Sequence, residues 1–110
     1  MGKSLNSNDI IGFIIKKIYC VGVEENLYTI EINCKCNYKT KGILLDMSFY
    51  YKWEELLNVD MYELKKHLAE NFGLHRKIGP SRIIYWDNIE SAQKAVEYLK
   101  SLVIMQKLCS

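Results

Sequence analysis

Residues that break a chain or build a catalytic centre are scarce in this sequence: one proline, six glycines and two histidines among 110 residues. Gly73 and Gly79 are too isolated to form a phosphate-cradling loop. His67 and His75 are the only imidazoles, so a cysteine nucleophile has no recognisable base beside it. The apolar stretch at 10–15 is far too short to cross a bilayer, which takes about 20 residues. Residues 1–8 are polar and lead to no small-residue cleavage site, so no export signal is expected. A cytoplasmic chain whose four cysteines stay free thiols follows from that expectation. A strong charge of one sign is missing too. Fifteen Lys and Arg against thirteen Asp and Glu give +2, too balanced for binding nucleic acid by bulk charge alone. A local basic patch stays open.

The hydrophobic fraction is 49% and the charged fraction 25%, a balance that favours a packed core over disorder. The length suits one domain over 1–110, with 1–6 a loose end, and needs no metal or disulfide to hold it. Usage leans to Ile, Lys, Asn and Tyr, in the manner of an AT-rich genome such as a low-GC bacterium or its phage.

The clearest pattern spans 28–51. Tyr28, Ile30, Ile32, Cys34, Cys36 and Tyr38 alternate with Thr29, Glu31, Asn33, Lys35, Asn37 and Lys39. This period of two predicts a strand with one buried face and one wet face. Residues 39–42 supply a turn, with Gly42 free to take positive φ. Ile43, Leu45, Met47, Phe49 and Tyr51 then alternate with polar or mixed neighbours, completing an antiparallel hairpin.

Upstream, Ser7 or Asn8 can cap a helix over 8–16, followed by a strand over 18–23 and a turn at 24–26. The β-branched isoleucines at 10–18 pull against that helix. Downstream, 53–57 reads as a helical turn leaving the sheet. Asp60 and Glu63 have capping-box spacing, Met61, Leu64, Leu68 and Phe72 line one helical face, and Gly73 is the stop. A basic loop over 74–81 and a short strand over 82–86 follow. Asp87 and Glu90 repeat the capping pattern before a helix to about 107, striped by Ala92, Ala95, Val96, Leu99, Leu102 and Val103. The expected class is α+β, in the order α-β-β-β-α-β-α. The antiparallel sheet has four strands, with helices packed mainly on one face. The β-turn-α tail is shaped like the closing half of split βαβ domains, RNA-recognition modules included, but the aromatic RNP motif is absent.

Cys34 and Cys36 sit on one strand face without a second ligand pair, and read as small hydrophobes of the core. No catalytic, metal or cofactor residue is assigned. His67, one position before Leu68, is expected at the surface near the sheet edge. Glu54, Glu55, Asp60 and Glu63 form an acidic run: a solvated helix start, or a docking patch for a basic partner. His75, Arg76, Lys77 and Arg82 form one basic cluster, and Lys35, Lys39 and Lys41 a second on the wet hairpin face and its turn. With Tyr38 and Tyr50 nearby, these suit single-stranded nucleic acid, or plain solubility and edge protection. Ile104, Met105 and Leu108 fall off the main stripe of the last helix and are the candidate homodimer contact.

The leading expectation is a non-enzymatic binding protein acting on a macromolecular partner, protein ahead of nucleic acid, with no membrane role. A small inhibitor or antagonist from a phage or other mobile element fits the size and composition. The runner-up is a single-stranded nucleic-acid-binding module using the hairpin lysines and the 75–82 loop. A small enzyme with a site near His75 is the third reading.

Overall fold

The computed structural model describes residues 6–22, 24–36, 38–74 and 83–109. Three antiparallel strands, β1 (Ile10–Cys20), β2 (Glu25–Cys36) and β3 (Lys39–Leu44), form a sheet in the order β1-β2-β3. Three helices follow: α1 (Tyr50–Leu57), α2 (Met61–Phe72) and α3 (Ile89–Cys109). The class is α+β with an antiparallel sheet, as expected, but the sheet has three strands and not four.

Residues 8–16 are not a helix. Asn6 caps a single 3-10 turn, Ser7–Asp9, by accepting from the Asn8 N–H (2.8 Å) and donating its own N–H to Asp9 Oδ2 (2.9 Å). From Ile10 the chain is a strand paired with β2 as far as Cys20 opposite Glu25. The β-branched residues decide this: a helix here would strip β2 of its whole partner on that side. A bulge at Ile11, between the pairs Ile10–Cys34 and Gly12–Asn33, corrects the register. β2 already begins at Glu25, so the turn is not at 24–26, and Glu24 at φ 51° donates its N–H to the Val21 carbonyl.

The hairpin at 28–51 forms, in a different register from the expected one. Cys36 pairs with Lys39, so the turn is not at 39–42, and Tyr38 takes φ 69°. Gly42 is not in the turn: it lies within β3 opposite Asn33, where a side chain would collide with the Glu31 carboxylate. β3 ends at Leu44, short of Tyr51. Asp46 accepts from the Ser48 N–H (2.7 Å), caps a 3-10 turn at Met47–Phe49, and hands the chain to α1. The indole of Trp53, fully buried in α1, donates to the Leu44 carbonyl (2.9 Å) and ties the helix to the end of β3.

The segment proposed as a fourth strand runs along β2 without forming a ladder. Trp86 and Tyr28 exchange both backbone hydrogen bonds (2.9 and 2.7 Å). Ile84 N–H turns instead to the Leu45 carbonyl (3.0 Å), and Ile83 bridges Asp46. Divided among Tyr28, Asp46 and Leu74, 83–86 makes isolated bridges only. α3 then starts one residue later than anticipated: Asn88, not Asp87, caps it by accepting from the Ser91 N–H (2.8 Å).

The core lies between the sheet and the helices. It joins Ile30, Ile32 and Cys34 of β2 with Trp53, Leu56 and Leu57, then Met61, Leu64 and Leu68, then Ala92, Ala95, Leu99 and Val103. The α2 and α3 stripes read from the sequence face the core, buried at every position but Phe72 and Leu102, which are half-buried, and Gly73 ends α2 at φ 62°. The wet hairpin face needs correction. Thr29 is fully buried and its Oγ1 donates to the Ile84 carbonyl (2.7 Å), and Leu27 beside it is also inaccessible. Ile84 meets Thr29 on this half of the face, while toward the hairpin tip Glu31 and Asn33 are half-buried and Lys35 is exposed.

Cys34 is fully buried and Cys36 only half-buried. Cys34→Asp should therefore cost about 3 kcal/mol or more, the range for an uncompensated buried charge. Cys36→Asp should cost clearly less. Urea unfolding of the two variants measures this, and equal losses would contradict the observed burial.

Candidate interaction surfaces

Helices α2 and α3 pack side by side and leave a groove of about 400 Å³ lined by Val59, Asp60, Glu63, Leu64, His67, Tyr98 and Leu102. Its geometry follows from how α2 begins. Asn58 closes α1 in the left-handed region (φ 53°) and reaches Gln106 of α3 (3.4 Å). Asp60 caps α2 by accepting from the N–H groups of Tyr62 (2.8 Å) and Glu63 (3.3 Å). Glu54 of α1 accepts from the Met61 N–H (3.0 Å). One turn along, His67 lies flat on Tyr98 with ring centroids 4.3 Å apart and planes 24° apart. Phe72 closes the far end, edge-on to His67 (6.0 Å) and 5.8 Å from Tyr98. Asn71 Nδ2 donates to the His67 carbonyl (2.9 Å) and lies 3.3 Å from His67 Nδ1. His67 is thus half-buried against α3, not at the sheet edge, because the flank of α2 beside Leu68 faces α3.

The acidic run is divided by these roles. Glu54 is turned into the α1–α2 junction, and Asp60 and Glu63 rim the α2–α3 groove. Glu55 faces a separate polar groove of about 370 Å³, which it lines with Asn6, Ser7, Asn8, Asn58 and Gln106. The four carboxylates therefore do not make one patch. Tyr98 was not foreseen in this role. Its signal in the sequence is a second stripe on α3, Tyr98, Leu102 and Met105 at helical spacing, beside the core stripe.

Lys35, Lys39 and Lys41 are all exposed but lie on opposite faces of the hairpin. Lys39 pairs with Cys36 and Lys41 with Cys34, so both are on the face that carries the core, beyond its edge. Lys35, opposite Thr40, is on the other face. Tyr38 stands at the tip between them, 99% exposed. His75, Arg76, Lys77 and Arg82 lie outside the described residues. Ile104, Met105 and Leu108 are exposed, Leu108 at 81%.

Burial pushes the Cys34 thiol above its ordinary value, and the neighbouring Cys36 and Asp9 add to this against the opposing effect of Lys52 and Lys41. Such a thiol stays protonated and is a poor nucleophile. Among the described residues, no three His, Cys, Asp or Glu side chains are gathered to hold a metal, and no helix is long and apolar enough to cross a membrane. Comparison with protein-family models, with curated proteins and with solved structures found no match to this chain.

The Tyr50 hydroxyl is also raised, by burial first and then by Asp46 and Tyr62. Both groups hold their protons more tightly folded than unfolded. Their stabilisation is complete below the ordinary values of 9.0 and 10.0 and is lost as pH rises through the folded values. Unfolding free energy should therefore decline above about pH 9, and Cys34→Ala should flatten the first part of that decline. Urea titrations at a series of alkaline pH values test this.

Proposed function

We propose that this chain is a non-enzymatic binding protein that receives a basic segment of a protein partner in the α2–α3 groove. The observation that carries the reading is the groove's division of labour. Val59, Leu64 and Leu102 supply an apolar floor, Asp60 and Glu63 a negative rim, and Tyr98 with His67 a flat aromatic wall. A lysine or arginine side chain matches all three: its stem covers apolar surface, its charge meets the rim, and a guanidinium stacks on the ring. The buried, protonated Cys34 supports binding over cysteine catalysis. The chain's size and composition suit a small antagonist of the kind carried by mobile elements.

Glu63 is the residue to change, because it is exposed and Asp60 is occupied as a helix cap. Arginine-rich peptides should bind and shift the NMR signals of Tyr98 and His67. Glu63→Lys should weaken them about tenfold, a cost near 1.4 kcal/mol, with only the small loss of stability, about 0.3–1 kcal/mol, expected when a positive charge enters the first turn of a helix. Equal affinity for acidic peptides, or no effect of Glu63→Lys, would remove the reading.

The hairpin tip supports a second reading, single-stranded nucleic acid. Tyr38 is held at φ 69° with its ring in solvent, flanked by exposed Lys35, Lys39 and Lys41. A non-glycine residue in the left-handed region costs about 1–2 kcal/mol and invites a functional explanation. Base stacking on the ring with phosphate contacts to the lysines predicts affinity that falls steeply with salt and drops in Tyr38→Ala. Salt-independent or absent binding to single-stranded DNA and RNA excludes it.

A further inference from the structure

The sheet has two very different edges. On one side, β3 is six residues long, carries exposed Lys39 and Lys41, and is followed along β2 by Leu45 and the 83–86 segment. On the other side, β1 runs for eleven residues with no strand of the described residues beyond it. It contains no proline and exposes Ile11 (60%) and Ile14 (42%). Long, apolar, uncovered edges are what folded proteins avoid unless another strand adds to them.

Which β1 groups are available follows from the pairing. Tyr28 uses both backbone groups on Trp86, on the side away from β1. Its β1 partner, Lys17, is therefore in a pair without mutual hydrogen bonds and directs its N–H and C=O outward. By alternation Ile15 and Phe13 do the same. The Ile30 carbonyl, which accepts from Leu45 instead of from Ile15, agrees with this. Three consecutive outward donor–acceptor sets thus line the free edge.

We propose that a second copy of this chain adds to β1 in antiparallel fashion, about a two-fold axis near Ile14, to make a six-stranded sheet across the dimer. The edge is self-complementary in this orientation. Its charge is confined to one half, Lys16 and Lys17, so a two-fold places the lysine half of each copy against the uncharged half of the other. Lys16 falls opposite Gly12, beside which there is open space for its stem. The two Lys16 side chains stand roughly 13 Å apart at about 3.3 Å per residue, beyond the ~8 Å screening length of physiological salt. Ile14 meets its own copy, and Phe13 and Ile15 exchange backbone hydrogen bonds across the axis. This contact is independent of the α2–α3 groove.

Light scattering and sedimentation should give twice the chain mass for the full-length protein at micromolar concentration. Ile14→Lys, which sets like charges against each other on the axis, and Lys17→Pro, which removes an outward N–H and no bond to β2, should each give a folded monomer. Hydrogen exchange on the unaltered chain guards against misfolded variants. The amides of Phe13, Ile15 and Lys17 should gain protection with concentration, while Ile14 and Lys16 are protected throughout. A monomeric parent, or outward amides with no concentration dependence, would overturn the proposal. So would a dimer that survives both substitutions and is dissolved by Ile104→Glu with Met105→Glu, which would place the contact on α3.

Discussion

Tyr28 and Trp86 exchange two backbone hydrogen bonds, and much of the molecule is arranged around that exchange. It secures 83–86 against β2 in the stretch that β3 leaves open. Trp86 is thereby buried whole among β2 and the helices, and α3 leaves from a defined point just beyond it. It also sets the polarity of β1: because Tyr28 spends its groups on this side, Lys17 and its alternate neighbours turn theirs to the free edge. Thr29 follows from the same arrangement, since its hydroxyl meets the Ile84 carbonyl only when 83–86 lies along β2. A buried hydroxyl without that partner would cost about 1–3 kcal/mol.

The α2–α3 groove arises from helix termination more than from helix packing. Asn58 in the left-handed region and the Asp60 cap force a sharp change of direction between α1 and α2. Leu64 and Leu68 of α2 are then drawn into the core, and the adjoining flank, with Glu63 and His67, is left beside Tyr98 and Leu102 of α3. Carboxylates at the start of a helix are stabilised by its dipole whatever else they do. The apolar floor and stacked rings next to them turn that ordinary feature into a surface with a charge preference.

Several elements were legible before any coordinates. The α2 stripe with its Asp60 cap and Gly73 stop, the α3 stripe from Ala92 to Val103, and the middle of the β2 core face, Ile30, Ile32 and Cys34, depend on local periodicity and lie against the core as read, while Cys36 is half-buried and Tyr38 is exposed. Cys34 as a core residue follows from the same alternation. Apart from the shift of the α3 cap by one residue, the misreadings share a cause: they turned on a partner distant in sequence. Residues 10–16 satisfy a helical stripe and a strand equally, and only the presence of β2 decides between them. The pairing of Cys36 with Lys39 differs from the expected turn at 39–42 because Thr40 and Gly42 look more turn-like than a tyrosine at φ 69°, yet register is set by burying Ile43 across from Ile32. The acidic run was visible as composition, but its division among a helix junction and two grooves depends on where α3 and the N-terminal turn lie.

Local pattern was sufficient to establish an α+β chain, the core-facing sides of its two longer helices, the Asp60 cap of α2, and Ile30, Ile32 and Cys34 of β2 as core residues. These features cost or gain free energy within a few residues of themselves, so their chemistry is written in the spacing. Assembly of the chain was needed to give the described residues a three-stranded sheet, to bury Thr29, to stack His67 on Tyr98, and to leave β1 with no strand of the described residues beyond it. Each of these depends on which backbone groups and apolar faces remain unsatisfied once distant segments have met, a quantity that no window of the sequence contains.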